Sequence, residues 1–206
     1  RLMMNNTYTS ATLLLDNKYP SHWTLIRVRN LLKEFKDVVG KRTDLPLLSL
    51  TKGGVILRDV VNAKGKFPKD YESYNIVRPS QMIFCLFDID ETPRTVGLSH
   101  LEGMITGAYN VFNVASDIVN PTFLYYYFIA VDDIKALRPH YSGLRKVVQI
   151  PKFLGIQVPI PPKEEQDKIV DFISSKIDSI SEILANKNLI IKYQLELIEN
   201  LIFFGE

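Results

Sequence analysis

From Lys163 onward the chain runs for ~40 residues without a proline or a glycine until Gly205, a length of roughly 60 Å if it forms one continuous helix. Apolar residues recur at Ile169, Ile173, Ile177, Ile180, Leu184, Ile191, Leu195, Ile198 and Ile202. Steps of three and four keep such residues on one face of an α-helix. Pro161-Pro162 precede the run, and Glu164, Glu165 and Asp167 open it, where the helix dipole favours negative charge. Lys187 and Asn188 interrupt the stripe once, as polar residues do when they set register in coiled coils. A second line, Phe172, Ile183, Ile190, Leu197 and Leu201, widens the apolar face. Core helices of globular domains usually run about 8–20 residues. The stripe is therefore expected to bind a partner helix, with a core helix inside the domain as the alternative.

Charge divides the chain at the same place. Up to Pro162 there are 20 Lys and Arg against 14 Asp and Glu, a net +6; from Lys163 on there are 5 against 9, a net −4. A basic body suits a polyanionic partner, although the excess is modest for its length. Hydrophobic residues at 46% and charged ones at 23% exclude a disordered or collagen-like chain. The one cysteine, Cys85, builds neither an internal disulfide nor a Cys-rich zinc site. It lies in the apolar run Met82 to Phe87 and reads as a buried structural thiol. The longest aromatic-apolar stretch, Phe123 to Val131, is half of what a membrane span requires. With no signal-peptide pattern visible, the expectation is a cytoplasmic protein with no membrane contact. Arg1 is not an initiator, so the chain is expected to begin inside a longer one or to be trimmed, with Met3 or Met4 as candidate natural starts.

The body reads as strand-rich. Leu47 to Thr51 and Val55 to Leu57 flank Lys52-Gly53-Gly54, the pattern of a hairpin. Tyr74 to Val77, Met82 to Phe87, Thr95 to Leu98 and Ala108 to Val114 are further strands, with a loop punctuated by Gly103 and Gly107 between the last two. Phe123 to Leu137 is the expected helix, entered after Asn120-Pro121 and ended before Pro139. Gly143 to Gln149 and Phe153 to Val158 close the domain. No β-α-β alternation is present, which argues against a parallel doubly wound sheet. The expected class is α+β: a lead segment over 1–20, a strand-rich domain over 21–160, and the long helix over 161–206.

Motifs for catalysis are scarce. The sequence has no Gly-x-Gly-x-x-Gly and no phosphate loop ending in Gly-Lys-Ser/Thr, and His22, His100 and His140 lack metal-ligand spacing. Asp88, Asp90 and Glu91 follow an apolar strand and precede Pro93, which fits a strand end entering a turn better than a Mg²⁺ site. Asn120-Pro121-Thr122-Phe123 is faintly similar to the Asn-Pro-Pro-Tyr/Phe loop of adenine methyltransferases. A helix N-cap with proline at the first position explains it better. No cofactor or metal is expected.

A binding inventory remains. Lys52, Arg58, Lys64, Lys66, Lys69 and Arg94 fall in turns or loops, interleaved with Tyr71, Tyr74, Asn75, Tyr109 and Asn110. The segment Arg138 to Lys146 is the densest, with three cations, two rings and a Ser142-Gly143 turn. Such side chains reach phosphates and base edges; solvated loop charge is the alternative for any one of them.

The stretch Leu154 to Val170, with Val158-Pro159-Ile160-Pro161-Pro162 meeting Glu165-Gln166-Asp167-Lys168-Ile169, resembles the junction in specificity subunits of type I restriction-modification enzymes. There a strand ending in Pro-x-Pro-Pro meets Glu-Gln-x-x-Ile at the start of a long helix. Ile177-Asp178-Ser179-Ile180 and Leu197-Ile198-Glu199-Asn200-Leu201-Ile202 fit the same pattern. Upstream, Pro20-Ser21-His22-Trp23, Gly107-Ala108-Tyr109 and Tyr141-Ser142-Gly143-Leu144-Arg145-Lys146 are similar to its target-recognition domain. The resemblance covers roughly residues 20 to 203 and is strongest at the junction.

It implies a non-catalytic subunit that reads double-stranded DNA. A methylation subunit using S-adenosylmethionine and a translocating restriction subunit supply the chemistry. Specificity subunits of this family carry two recognition domains and two antiparallel helices; this chain has one of each, as a fragment or as a half-subunit that homodimerises through its helix. On that resemblance Lys52, Arg58, Lys69 and Arg94 are candidates for phosphate or base contacts. Tyr109, Arg138, Tyr141, Ser142, Arg145 and Lys146 are candidates for the DNA-facing surface, and the stripe Ile169 to Ile202 for the helix interface. A fragment of an adenine methyltransferase or nuclease, and a helical interaction scaffold, are the alternatives. Salt dependence of DNA binding separates a DNA reader from a scaffold whose basic charge is incidental.

Overall fold

A computed structural model describes residues 19–42, 44–58 and 70–203, with backbone alone from 196 to 203. Lys64, Lys66 and Lys69 lie outside the described residues, as do the side chains of Ile198 and Ile202. The chain divides into two compact units, Arg1–Gln166 and Asp167–Glu206.

The first unit is α+β, and all pairs between its named strands are antiparallel. Strand β1 (Thr24–Arg27) leads into the short helix α1 (Val28–Leu31) and strand β2 (Leu32–Phe35). The hairpin follows as β3 (Leu48–Thr51) and β4 (Gly54–Leu57). Gly54 takes φ +99° at its turn, and the Thr51 hydroxyl accepts the Gly53 N–H at 3.1 Å. Strands β5 (Asn75–Val77), β6 (Met82–Phe84), β7 (Val96–Leu98), β8 (Gly103–Ile105) and β9 (Asn110–Val114) come next.

Four strands form the central sheet in the order β2-β9-β6-β7, and β5 pairs separately with β8. Strand β8 occupies what the sequence reads as a loop around Gly103. The glycine serves close packing there: a Cβ would stand 2.5 Å from the Pro46 carbonyl, and the adjacent Met104 N–H donates to that carbonyl.

Helix α2 spans Pro121–Asp133. The Asn120 side chain accepts the N–H groups of Thr122 and Phe123 at 2.9 and 3.3 Å, an N-cap with Pro121 at the first helical position. The helix stops four residues short of Leu137, the expected end, because Lys135 turns to φ +50°. A single turn of 3₁₀ helix follows at Arg138–His140. Helix α3 (Ile150–Gly155) and strand β10 (Gln157–Ile160) close the unit. Strand β10 pairs with β1 from Thr24↔Ile160 to Arg27↔Gln157, which joins the beginning of the described chain to its junction segment. Pro159 is tolerated in this two-stranded pairing because no further strand needs its missing N–H.

The core is aromatic at its centre. Phe84 packs on Phe112, Phe128 and Phe153 with ring centroids 4.9–5.6 Å apart, within the range favoured by edge-on and tilted pairs. A second cluster of Leu48, Val77, Ile83, Ile105 and Val111 lies under the hairpin. Cys85 is buried beside this sheet, and burial pushes its thiol above the ordinary range.

The second unit is the continuation of helix α4 (Lys163–Phe203), 41 residues long. Phe172, Ile177, Ile180, Ile183, Leu184, Ile190, Ile191 and Leu195 are exposed along it. Among the described residues no helix is long and apolar enough to cross a membrane.

Candidate nucleic-acid interface

The segment Arg138 to Lys146 folds against the loop that follows β6. Residues 142–147 form a small hairpin, closed by the Ser142 N–H to the Val147 carbonyl at 2.9 Å and the Val147 N–H to the Ser142 carbonyl at 3.0 Å. The Ser142 hydroxyl donates to the Val147 carbonyl as well, at 2.9 Å. Gly143 and Lys146 take φ +69° and +48° in this loop. Glycine does so freely, whereas a lysine there is strained.

Two carboxylates meet the cations of this segment. Asp90 Oδ1 accepts from Arg138 Nε at 2.9 Å and from the Tyr141 hydroxyl at 3.1 Å, and its Oδ2 from Lys146 Nζ at 3.1 Å. The Arg138 and Lys146 bonds hold the Asp90 carboxyl down at about 2. Desolvation, then the bond to Asp90, pushes the Tyr141 phenol up to about 12. Asp88 accepts from Arg145 Nη2 at 3.0 Å, and that guanidinium also sits 5.2 Å over the Phe87 ring. Asp88 and Asp90 thus serve as counter-charge to the cations. Among the described residues no group of three or more His, Cys, Asp or Glu is arranged to hold a metal ion. The cations still face outward: the side chains of Arg138, Arg145 and Lys146 are 62%, 72% and 44% exposed. Leu144, at the tip, is fully exposed.

Arg58 and Tyr109 meet elsewhere. Both line a cavity of about 110 Å³ together with Ser49, Tyr74 and Thr106. Tyr109 is half-buried against the cluster under the hairpin, its phenol raised by burial, and its carbonyl accepts the Asn75 side-chain amide at 2.8 Å. Lys52 is exposed at the turn between β3 and β4.

Arg94 is placed differently from the other candidates. Its side chain is only 15% exposed and donates to Asp132 at 3.2 Å and Asp133 at 2.7 Å. Asp132, itself buried, also accepts from the Thr95 N–H, the Thr95 hydroxyl and Lys135 Nζ. Arg94 therefore neutralises a buried carboxylate instead of presenting its charge outward. The sequence places it in a loop but does not reveal partners 38 and 39 residues away.

The junction residues Glu165 and Gln166, read from the sequence as helix-start charge and as part of the junction motif, carry specific side-chain contacts. Glu165 accepts from Trp23 Nε1 at 3.1 Å and lies 2.8 Å from His22 Nε2. Gln166, 1% exposed, donates to the Pro161 carbonyl at 2.9 Å and accepts the Asn120 N–H at 2.6 Å. The Pro20-Ser21-His22-Trp23 and Glu165-Gln166 motifs, distant in sequence, form one site. Their joint appearance was the available signal.

Residues 104–193 match the sequence profile of the type I restriction modification DNA specificity domain. No curated protein matches the chain by sequence. Among solved structures, the HsdS subunit from Thermoanaerobacter tengcongensis is 16% identical with a TM-score of 0.50, over 82% of this chain and 40% of that one. The S subunit of a type I restriction-modification system from M. genitalium is 13% identical with a TM-score of 0.57, over 95% of this chain and 50% of that one. A chain from a structure on complex assembly and conformational transition of the type I R-M system is 14% identical with a TM-score of 0.57, over 89% and 46%. At these identities the likeness establishes the fold, and this chain spans half or less of the length of each. Residues 104–193 are thus similar to the type I restriction modification DNA specificity domain, and the chain's fold is similar to that of the type I S subunits over half or less of their length.

Proposed function

We propose that this chain reads one half of a bipartite, interrupted site in double-stranded DNA for a type I restriction-modification system. The observation that carries this reading is the span of the specificity-domain match, which runs from β8 through the cationic hairpin into α4. The 21–160 domain, with the exposed cations Lys52, Arg138, Arg145 and Lys146 on its surface, contacts phosphates and base edges, helped by Arg58, Tyr109, Tyr141 and Ser142. Lys69 keeps this assignment from sequence alone, and Arg94 is left out of it. The chain supplies recognition. Methyl transfer from S-adenosylmethionine and cleavage belong to methylation and restriction subunits that dock on it.

The helix over 161–206 supplies the second contact surface. Its stripe of Ile169, Ile173, Ile177, Ile180, Leu184, Ile191 and Leu195, extended in sequence by Ile198 and Ile202, packs on a like helix. The partner is the other half of a longer subunit or a second copy of this chain. A two-fold pair of heads would read a symmetric site with a fixed gap.

Co-expression of the whole protein with its methylation subunit, followed by mapping of methylated adenines in the host genome, tests this. An interrupted motif that is lost with Arg145→Glu/Lys146→Glu supports the reading and the assignment of the hairpin. A motif unchanged by that double variant rejects the assignment, and no motif with the wild-type protein rejects the reading.

A further inference from the structure

The hairpin over 142–147 is held from outside. A loop containing a left-handed lysine stores strain that surrounding contacts must offset. Here Asp88 and Asp90 provide them. The Asp88 N–H donates to the Arg145 carbonyl at 3.0 Å while its carboxylate takes the Arg145 guanidinium. Asp88 is itself left-handed, at φ +46°. Asp90 gathers Arg138 and Tyr141 from before the hairpin and Lys146 from within it, three donors on one carboxylate. Leu144 projects fully exposed from the tip so held.

Resting on the DNA-reading function proposed above, we infer that Asp90 is a positioning residue, an internal carboxylate that stands in for a phosphate, holds Arg138, Tyr141 and Lys146 in one arrangement, and so fixes the hairpin that presents Leu144 and Arg145 to the duplex.

Two effects of Asp90 on DNA binding oppose each other. A carboxylate on a DNA-facing surface repels phosphate, so removing it should strengthen binding. A hairpin without its brace must instead be ordered when DNA binds, which weakens binding. The repulsion is screened, because the Debye length is only about 8 Å at physiological salt and the cations around Asp90 are well exposed. The ordering cost falls on several residues of backbone at once. Ordering therefore outweighs repulsion, and Asp90 assists binding despite its sign.

The test uses the whole protein and two probes: duplexes enriched by the wild-type protein from a randomised library, and a mixed-sequence duplex. Asp90→Asn is expected to lose about tenfold or more in affinity for the enriched duplexes, with little change on the mixed one. Asp90→Glu, which keeps the charge, is expected to recover most of the loss. Tyr141→Phe, which removes one donor without changing charge, should show a smaller loss on the enriched duplexes. Tryptic cleavage after Arg145 and Lys146 should accelerate in Asp90→Asn and stay slow in Asp90→Glu. Binding by Asp90→Asn that equals or exceeds wild type, or that falls equally on both probes, overturns the inference and leaves the DNA-reading function standing. Failure of the wild-type protein to enrich any duplex removes that function and this inference with it.

Discussion

The side-chain oxygen of Gln166 accepts the backbone N–H of Asn120 at 2.6 Å, and so ties the first turn of α4 to the residue that caps α2. The same amide donates to the Pro161 carbonyl at 2.9 Å and the Ile118 carbonyl at 3.4 Å. Beside it, Glu165 takes Trp23, whose indole meets the Phe123 ring edge-on at 6.2 Å. The Pro-Pro junction is thus a built joint: β1, β10, α2 and the start of α4 converge on two adjacent side chains.

Gln166→Leu keeps the volume and removes both hydrogen-bonding ends of this buried amide. Stability is expected to fall by ~1–3 kcal/mol, the cost of withdrawing a buried partner from groups that stay buried. Urea unfolding followed by circular dichroism measures it; an unchanged midpoint with an unchanged slope would show that the joint contributes nothing.

A larger effect is expected at Asp132. Its carboxylate is buried and holds Thr95 twice, Arg94 and Lys135. Arg94→Ala removes one of the two neutralising cations, so the loss should lie toward the lower end of the ~3–5 kcal/mol seen when a buried pair is broken. The same variant, assayed where it is still folded, is expected to bind DNA with the wild-type salt dependence. A shallower salt slope would return Arg94 to the phosphate-contacting set.

Local chemistry made much of this fold legible. Gly53-Gly54 marks the β3–β4 hairpin, Asn120-Pro121 marks the start of α2, and the spacing of Ile173, Ile177, Ile180 and Leu184 marks α4. Elements that depend on distant partners were not legible. Helix α1 and strand β2 escaped the reading, since β2 exists through its pairing with β9, Leu32↔Val114 to Phe35↔Val111. Strand β8 was hidden by Gly103, which signals a loop in sequence but admits the Pro46 backbone in space. Among the candidate site residues, the local density of cations and rings in one segment marked Arg138, Arg145 and Lys146. Their carboxylate partners lie 48 to 57 residues upstream, where no sequence window reaches.

Asp90 gives the hairpin a defined response to acid. Its folded carboxyl is depressed to about 2, first by Arg138 and then by Lys146, against about 3.9 for an unperturbed aspartate. A depressed carboxyl contributes stability that is fully present above the unfolded value and lost as pH falls through the folded one. The ion pairs on Asp90 should therefore persist at neutral pH and open only as pH falls to about 2, while the stability they contribute declines from about pH 4 downward. Carboxyl-carbon NMR of Asp90 should show a midpoint near the lower value, and Arg138→Gln should move it upward. A midpoint already near 4 in the wild-type protein would mean that Arg138 and Lys146 do not hold this carboxylate in solution.

The apolar stripe of α4 gives the last prediction. Ile177, Ile180, Leu184, Ile191 and Leu195 are exposed on this helix, in a repeat that matches packing against another helix better than contact with water. Burying one such side chain is worth ~1.5–3 kcal/mol, and a two-fold interface counts each substitution twice. Ile180→Asp is accordingly expected to weaken self-association by about a hundredfold or more, with helix content unchanged. Light scattering over a concentration series, read beside circular dichroism, distinguishes the outcomes. A wild-type dimer that becomes monomeric in the variant identifies a second copy as the covering partner. A wild-type monomer whose binding to the methylation subunit is lost in the variant assigns the stripe to that subunit instead. Native mass and native partner binding in the variant would remove the stripe from the interface altogether.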